Sequence, residues 1–148
     1  MVKKILVATD GSDHARRAIE YASDIAAKYD ATVYLLHVIS DNKIPDEVLQ
    51  YIKVERIEQP PQAVYFKKIG EGIVGAAEKR ARENGVKNVQ SEVVQGDPAD
   101  RIIEFAREKD VDMIIIGSRG LGSVKGLFLG SVSSKVCHAA DCTCVTVK

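Results

Sequence analysis

The sequence is most informative between residues 117 and 131, which read Gly117-Ser-Arg-Gly120-Leu-Gly122-Ser-Val-Lys-Gly126-Leu-Phe-Leu-Gly130-Ser131. This glycine-rich stretch follows a short apolar run and precedes a helical pattern that begins at Gly130-Ser131. Such a loop between a buried strand and a helix is typical of phosphate sites. Glycine lets an anion approach the backbone, and the first amides of the helix point toward it. The alternative is a flexible connection that binds no ligand. Neither GxxxxGK[ST] nor GxGxxG fits, because Lys125 stands before Gly126 and occupies the third glycine position of the latter pattern.

Apolar runs alternate with helical patterns along the rest of the chain. Runs without in-out alternation predict strands covered on both faces, as in a parallel sheet, and an alternating tail predicts an edge strand. Helices are expected after two good N-caps, one at Ser12 or Asp13 and one at Asp97, which Pro98 follows. A further helix is expected after Gly130, with Val132, Val136 and Ala139 facing inward. The predicted strands are 4–9, 33–38, 89–94, 113–116 and the tail Cys144-Val-Thr-Val147, and a further helix is expected over about 62–84.

This alternation predicts an α/β fold with a doubly wound, five-stranded, mostly parallel sheet in the order 3-2-1-4-5 and helices on both faces. In such a sheet the chain reverses direction between strands 1 and 4, and ligands bind at the carboxyl ends of those strands. The crevice would be flanked by Thr9-Asp10-Gly11 and by Gly117. Asp10 either caps the following turn or contacts a ligand, and Thr9 either packs or contacts the ligand.

Length and charge limit the class of protein. A chain of 148 residues is expected to form one domain, with 41–61, which holds three of the four prolines, as a surface insertion or lid. Lys+Arg and Asp+Glu both number 21, which argues against a general nucleic-acid binder. No apolar run approaches the roughly 20 residues of a membrane helix. Because no signal peptide is evident and the three cysteines crowd one end, we expect a cytoplasmic protein with reduced thiols.

The spacing Gly117-x2-Gly120-x9-Gly130-Ser131 resembles the ATP-binding motif of the universal stress protein family, in its nucleotide-binding branch. Residues 2–12 are similar to the family's opening strand and turn, Leu36-His-Val38 to its second strand, and Gly96-Asp-Pro-Ala to its third crossover. The resemblance covers nearly the whole chain. It implies a Rossmann-like fold of the adenine nucleotide alpha hydrolase type and a bound adenine nucleotide, ATP or AMP.

Site residues follow from the same resemblance, position by position. A Mg or Mn ion can bridge the phosphates in this family, and we expect no metal site of the protein's own. The nucleoside would meet Ala8, Thr9, Asp10 and the Val38 backbone, while ribose and phosphates would meet Ile116, Gly117, Gly120, Gly130, Ser131, Val132 and Ser133.

The C-terminal tail departs from the family pattern. Family tails usually run Cys-Pro-Val into the last strand, whereas this chain has Asp141-Cys-Thr-Cys-Val without the proline. Since that strand pairs across a dimer in the family, the resemblance implies a homodimer through Cys144-Val-Thr-Val147, with its register open. An uncovered edge strand also favours such pairing.

Other chemically active residues have plainer interpretations. His37 lies mid-strand and is expected to be a hydrogen-bonded core histidine, whereas His14 is expected to face solvent. The cluster Cys137-His138-x3-Cys142-x-Cys144 suggests a metal site only superficially, because its members point in different directions and the spacing is not that of zinc ligands. A redox-sensitive thiol at a dimer edge is the other reading.

Three functions remain open at this point. The first is a dimeric switch of the stress response that binds ATP or AMP with little or no catalysis, since no nucleophile–base pair is evident. The second is a weak ATPase or nucleotidyl transferase that uses Asp10 and a phosphate-bound divalent metal. The third is a dimer scaffold without ligand, against which the intact glycine spacing argues.

Overall fold

The computed structural model describes residues 1–40, 44, 46–120 and 129–148. Within these, strands and helices alternate along most of the chain. The strands are β1 (Lys4–Ala8), β2 (Thr32–Ile39), β3 (Asn88–Gln95), β4 (Met113–Gly117) and β5 (Thr143–Val147). The helices are α1 (Asp13–Tyr29), α2 (Asp46–Val54), α3 (Pro61–Tyr65), α4 (Glu71–Glu83), α5 (Pro98–Lys109) and α6 (Ser131–Ala139), and a π-helical turn (Phe66–Gly70) joins α3 to α4.

The five strands form one sheet in the order β3-β2-β1-β4-β5, as the sequence predicts. All four strand pairings are parallel, so the sheet is more regular than the mostly parallel one expected. The central strand β1 lies between β2 and β4, with Ala8 opposite Leu36 on one side and Ile116 on the other. The carboxyl ends of β1 and β4 therefore meet at one level of the sheet.

Helices cover both faces of the sheet, which confirms the predicted α/β class. The apolar side chains of α1 and α4 pack on one face with Val7, Val33 and Ile115. Those of α5 and α6 pack on the other face with Leu6 and Ile114. Because both faces of β1 and β4 are covered, their side chains are almost entirely buried, which explains the unbroken apolar runs in the sequence.

Side-chain capping accounts for the starts of α1 and α5. The Ser12 hydroxyl accepts a hydrogen bond from the Ala15 amide at the start of α1, and the Asp97 carboxylate accepts one from the Asp100 amide at the start of α5. The predicted inward position of Ala139 in α6 is wrong, since this residue is exposed. The buried residues of α6 are Ser133 and Val136, and half-buried positions flank them, so the buried stripe is rotated from the one expected.

The segment expected as one helix over about 62–84 is helical but interrupted by the π-helical turn. Gly70 ends this turn against the sheet, where a Cβ would lie 2.6 Å from Val93 Cγ1. Of the predicted insertion 41–61, the part that the structure describes includes α2, which has no buried residue.

None of the helices in the described ranges is long and apolar enough to cross a membrane.

Candidate functional site

The carboxyl ends of β1 and β4 carry the residues that the sequence singles out. Thr9 follows β1 directly, and its amide donates to the Leu36 carbonyl oxygen of β2 at 2.9 Å. Gly117 ends β4 one residue beyond Ile116, which lies opposite Ala8. The register of the sheet thus places the two predicted sides of the crevice, Thr9-Asp10-Gly11 and Gly117, next to each other.

Asp10 and Gly120 are in close approach across this crevice. Asp10 Oδ1 accepts a hydrogen bond from the Ser12 amide at 2.9 Å, so this carboxylate does cap the turn before α1. A Cβ at Gly120 would lie 2.5 Å from Asp10 Oδ2, which means that the second carboxylate oxygen lies directly against the Gly120 backbone. The cap thus uses Oδ1, and Oδ2 faces the Gly120 backbone.

Thr9 and His37 form a buried hydrogen-bonded pair beneath the crevice. His37 Nδ1 lies 2.8 Å from the Thr9 carbonyl oxygen, and His37 is only 8% exposed. A carbonyl oxygen can only accept, so His37 Nδ1 carries the proton. His37 is thus a hydrogen-bonded core histidine, as predicted. Thr9 is itself buried, and its side chain serves the turn by accepting from the Gly11 amide at 3.4 Å.

Gly117 is required by packing. A Cβ at this position would lie 2.8 Å from His14 Cβ and 2.9 Å from the His14 carbonyl carbon. These atoms belong to the first turn of α1, so a side chain would push the helix away from β4. The glycine that begins the motif therefore has a structural role that does not depend on any ligand.

Ser118 is a buried junction that the sequence analysis missed. Its amide donates to the Val147 carbonyl oxygen at 2.7 Å, and its own carbonyl oxygen accepts from the Gly130 amide at 2.6 Å and the Ser133 hydroxyl at 2.9 Å. The Ser118 hydroxyl lies 3.1 Å from His14 Nδ1. The expectation that His14 faces solvent is therefore wrong, because the side chain is half-buried and hydrogen-bonded.

The contacts of Ser118 place the start of α6 beside the end of β4. Residues 121–128 lie between these two points, so Gly122, Lys125 and Gly126 of the glycine-rich stretch fall outside the described residues. Gly130 occupies the N-cap with φ −67° and offers no side chain to the first-turn amides, unlike Ser12 at α1. Ser131 is exposed and Val132 half-buried at this helix start. Amides in this position favour an anion.

The glycine spacing at the site and the fold of the chain agree with a comparison of the sequence with models of protein families. The family model described as "Universal stress protein family" matches residues 1–148. The chain belongs to the universal stress protein family. The resemblance found in the sequence is therefore confirmed over the whole chain.

Individual universal stress proteins are similar to this chain over all or nearly all of its length. Universal stress protein MJ0531 of Methanocaldococcus jannaschii is 34% identical, with 100% of this chain and 83% of that protein covered. Universal stress protein YxiE of Bacillus subtilis is also 34% identical, with 100% of each covered. A universal stress protein solved in complex with cAMP superposes with a TM-score of 0.73 at 25% identity, covering 99% of this chain and 96% of that one.

In the middle of α6 of this universal stress protein, the charge of Lys135 is balanced by two carboxylates at the start of α5. Its ammonium lies 3.0 Å from Asp100 Oδ1 and 3.5 Å from Asp97 Oδ1. The hydrogen bond with Asp100 raises the pKa of Lys135, and the Asp100 amide lowers the pKa of Asp97. The positive charge of Lys135 is thus directed to α5.

A metal held by the protein alone would need a cluster of suitable side chains. In the part of the chain that the structure describes, no three His, Cys, Asp or Glu side chains are grouped to hold an ion. At the crevice, Asp10 supplies a carboxylate, which suits a divalent cation only as one ligand among several.

Proposed function

We propose that this universal stress protein binds an adenine nucleotide, ATP or AMP, in the crevice between β1 and β4, and that it acts as a dimeric cytoplasmic switch of the stress response with little or no catalysis. The observation that carries the proposal is the close approach of Asp10 to Gly120 beside the α6 start. Within one crevice, this arrangement provides a carboxylate that can accept hydrogen bonds from hydroxyl groups and helix amides that can donate to phosphates. The similar universal stress protein in complex with cAMP supports an adenine nucleotide as ligand.

The nucleoside end of the proposed site lies at β1 and β2. Ala8 and Val38 are half-buried and pack against the core at the ends of their strands, so they offer an apolar surface to a base. In the proposed complex the Val38 backbone and Thr9 border the adenine, and Asp10 Oδ2 accepts from a ribose hydroxyl. A carboxylate oxygen beside a glycine suits this role, because no side chain at position 120 competes for the space.

The phosphate end lies at Gly120 and the start of α6. Gly120, Ser131 and Val132 would contact the phosphates through backbone amides and the exposed Ser131 hydroxyl. The Gly130 amide already donates to the Ser118 carbonyl oxygen, so Gly130 would border the phosphates through its Cα. Charge-assisted hydrogen bonds contribute about 1.5–3 kcal/mol each, so three or four, after ordering costs, suffice for a micromolar site near about −8 kcal/mol.

Ser133, Gly117 and Ile116 contribute to the proposed site mainly through packing and hydrogen bonds with the segments that border the crevice. The Ser133 hydroxyl is engaged with the Ser118 and Gly130 carbonyl oxygens, at 2.9 and 3.1 Å. Gly117 packs on α1, and Ile116 is buried at the end of β4. We therefore propose that Ser133 holds Gly130 in place, while Ile116 and Gly117 border the ribose.

A Mg or Mn ion would be held chiefly by the phosphates themselves. Mg²⁺ is commonly bound through one or two carboxylates together with substrate phosphates, and Asp10 is the carboxylate at this crevice. When bound, the cation would supply charge neutralisation to the phosphates. Binding of ATP is then expected to depend on the divalent ion more than binding of AMP.

The proposed dimer uses the edge of the sheet. β5 pairs with β4 on one side, and among the described strands none pairs with its other side. Val145 and Val147 are only half-buried, so a second copy of this strand would complete both backbone pairing and apolar packing. Light scattering at micromolar concentration should give the mass of two chains, and a monomer mass would contradict this part of the proposal.

Native mass spectrometry of gently purified protein tests the proposed ligand. We expect a mass increment equal to AMP, ADP or ATP, released on denaturation and identified by chromatography. Incubation with ATP and Mg²⁺ for hours, alone and with cell extract, should release little ADP or AMP. Sustained release would favour the enzymatic alternative, in which Asp10 orients water or metal.

A further inference from the structure

Two cysteines of the C-terminal region are directed at each other. Cys137 lies on α6 and Cys144 on β5, and their Sγ atoms are 2.6 Å apart. Both residues are free cysteines and both are half-buried. The contact joins a helix to a strand that packs under it, since Cys144 and Val136 belong to the same apolar cluster on the α5–α6 face of the sheet.

We infer that Cys137 and Cys144 are a redox-active pair that forms a reversible intramolecular disulfide between α6 and β5. A disulfide joins its sulfurs at about 2.05 Å, so only a small side-chain movement separates the present contact from a bond. The sequence spacing suits this, because seven positions separate the two residues and the helix end and strand start fold back on each other.

A disulfide fits this pair better than a shared metal ion. Zinc binds thiolates at about 2.3 Å, and at tetrahedral angles it holds two sulfurs roughly 3.8 Å apart, well beyond their present separation. The described residues also provide no grouped third ligand. The same geometry that brings the sulfurs together thus leaves no room for an ion between them.

The environment of the two thiols sets the order of the reaction. Burial, followed by the hydrogen bond with Cys137, raises the pKa of the Cys144 thiol. Cys144 is therefore a poor first nucleophile, and Cys137 is the residue that reacts first with an oxidant. Burial also raises the pKa of the Cys142 thiol, which lies two positions earlier on the same side of the sheet.

The oxidant we propose is a low-molecular-weight disulfide such as oxidised glutathione. The Cys137 thiolate attacks one sulfur of it, the old S–S bond breaks, and one small thiol leaves with a proton from solvent. Cys144 then loses its proton to water and attacks Cys137 Sγ, which expels the second small thiol. In sum, two cysteine thiols are oxidised to one disulfide and the small disulfide is reduced to two thiols.

Peptide mapping of the full-length protein tests the inference. The protein is equilibrated in glutathione buffers from fully reduced to fully oxidised, alkylated with iodoacetamide, and cut before aspartate under non-reducing conditions. Cleavage before Asp141 separates Cys137 from the other two cysteines, whereas trypsin would leave all three on one peptide. We expect residues 112–140 to be linked to 141–148 within one chain, and Cys142 to carry the alkyl group.

Matched variants make the assignment specific. Cys142→Ser should retain the link, whereas Cys137→Ser and Cys144→Ser should each abolish it. Oxidation of the wild-type protein should raise Tm by roughly 5 °C, because the bond restricts the unfolded chain. Links through Cys142, links between chains, or glutathione added equally to all three cysteines would overturn the inference, as would a fully oxidised buffer that leaves Cys137 and Cys144 alkylated.

Discussion

The carboxylate of Asp10 lies against the backbone of Gly120, so closely that a Cβ at position 120 would come within 2.5 Å of Oδ2. Asp10 follows β1, and Gly120 follows β4, the neighbouring strand. The contact therefore lies in the crevice, at the point where the sheet changes winding direction and where α/β sheets bind ligands. It also explains why the third residue after Gly117 is a glycine.

Gly120→Ala should weaken nucleotide binding without unfolding the protein. The added methyl displaces the Asp10 carboxylate, which we propose accepts from the ribose. We expect at least a tenfold loss of AMP affinity by calorimetry. The free energy of unfolding should fall by at most about 1 kcal/mol, because Gly120 is exposed and displacement of the carboxylate weakens its hydrogen bond with the Ser12 amide.

Gly75→Ala is the matched control for this variant. Nothing lies within 4 Å of a Cβ at Gly75, which sits in α4 away from the crevice. Its AMP affinity should equal that of wild type, and its helix should gain about 0.5–1 kcal/mol of stability. If Gly120→Ala bound AMP as tightly as Gly75→Ala, the proposed role of the Asp10–Gly120 contact would be wrong.

Gly117→Ala should lower the free energy of unfolding and not only the affinity for nucleotide. Its Cβ would meet the first turn of α1, with His14 Cβ at 2.8 Å and the Ala15 amide nitrogen at 3.0 Å. Overpacking of this kind costs about 1–3 kcal/mol. Urea denaturation should show this loss. Gly130→Ala, whose nearest contacts are 3.5 Å away, should lose affinity for nucleotide and only about 0.5 kcal/mol of stability, because an N-cap favours glycine over alanine. Equal stability of the two variants would contradict the packing role of Gly117.

Ser133→Ala should loosen the start of α6. The Ser133 hydroxyl is buried, and it donates to the carbonyl oxygens of Ser118 and Gly130. Its loss should cost about 1 kcal/mol in urea denaturation, the usual net value of such a hydrogen bond. Ser134→Ala, one residue along on the exposed side of α6, should have almost no effect. A larger loss for the Ser134 variant would show that the hydroxyl contacts do not hold this helix start.

Much of the architecture follows from the sequence because the relevant signals are local. Unbroken apolar runs such as 113–116 identify strands covered on both faces, and Ser12 and Asp97 mark helix starts by capping chemistry. The strand order then follows from connection rules and the glycine loop, which also locate the crevice.

The features that escaped sequence reasoning depend on contacts between distant segments. Ser118 is a junction only because β5 and α6 return to the end of β4, and His14 is half-buried only because Gly117 admits α1 so closely. The Cys137–Cys144 contact depends on the rotation of α6, which also places Ala139 outward. A local pattern of apolar residues does not determine such rotations.

Stability should fall at acid pH partly through Asp112. Its carboxylate accepts from the Lys3 and Lys4 amides at 2.8 and 2.9 Å, and these hydrogen bonds lower the pKa of Asp112 below its usual range. A lowered folded-state pKa stabilises the protein above the unfolded-state pKa of about 3.9, and this contribution disappears as pH falls through the folded-state value.

Asp112→Asn should remove this contribution. We expect a loss of at most about 1 kcal/mol at pH 7, since the side chain is exposed and solvent screens the interaction. Denaturation at pH 7 and at pH near 3 should show that the variant and wild type converge in acid. A difference that persists or grows at low pH would contradict the assignment.

Calorimetric titration of nucleotide-free protein with AMP, and with ATP and Mg²⁺, tests the central claim most directly. The proposal predicts saturable binding of one nucleotide per chain with micromolar Kd, retained in Gly75→Ala and weakened at least tenfold in Gly120→Ala. Absence of saturable binding of either nucleotide up to millimolar concentration, by protein whose fold is verified by circular dichroism, would contradict it.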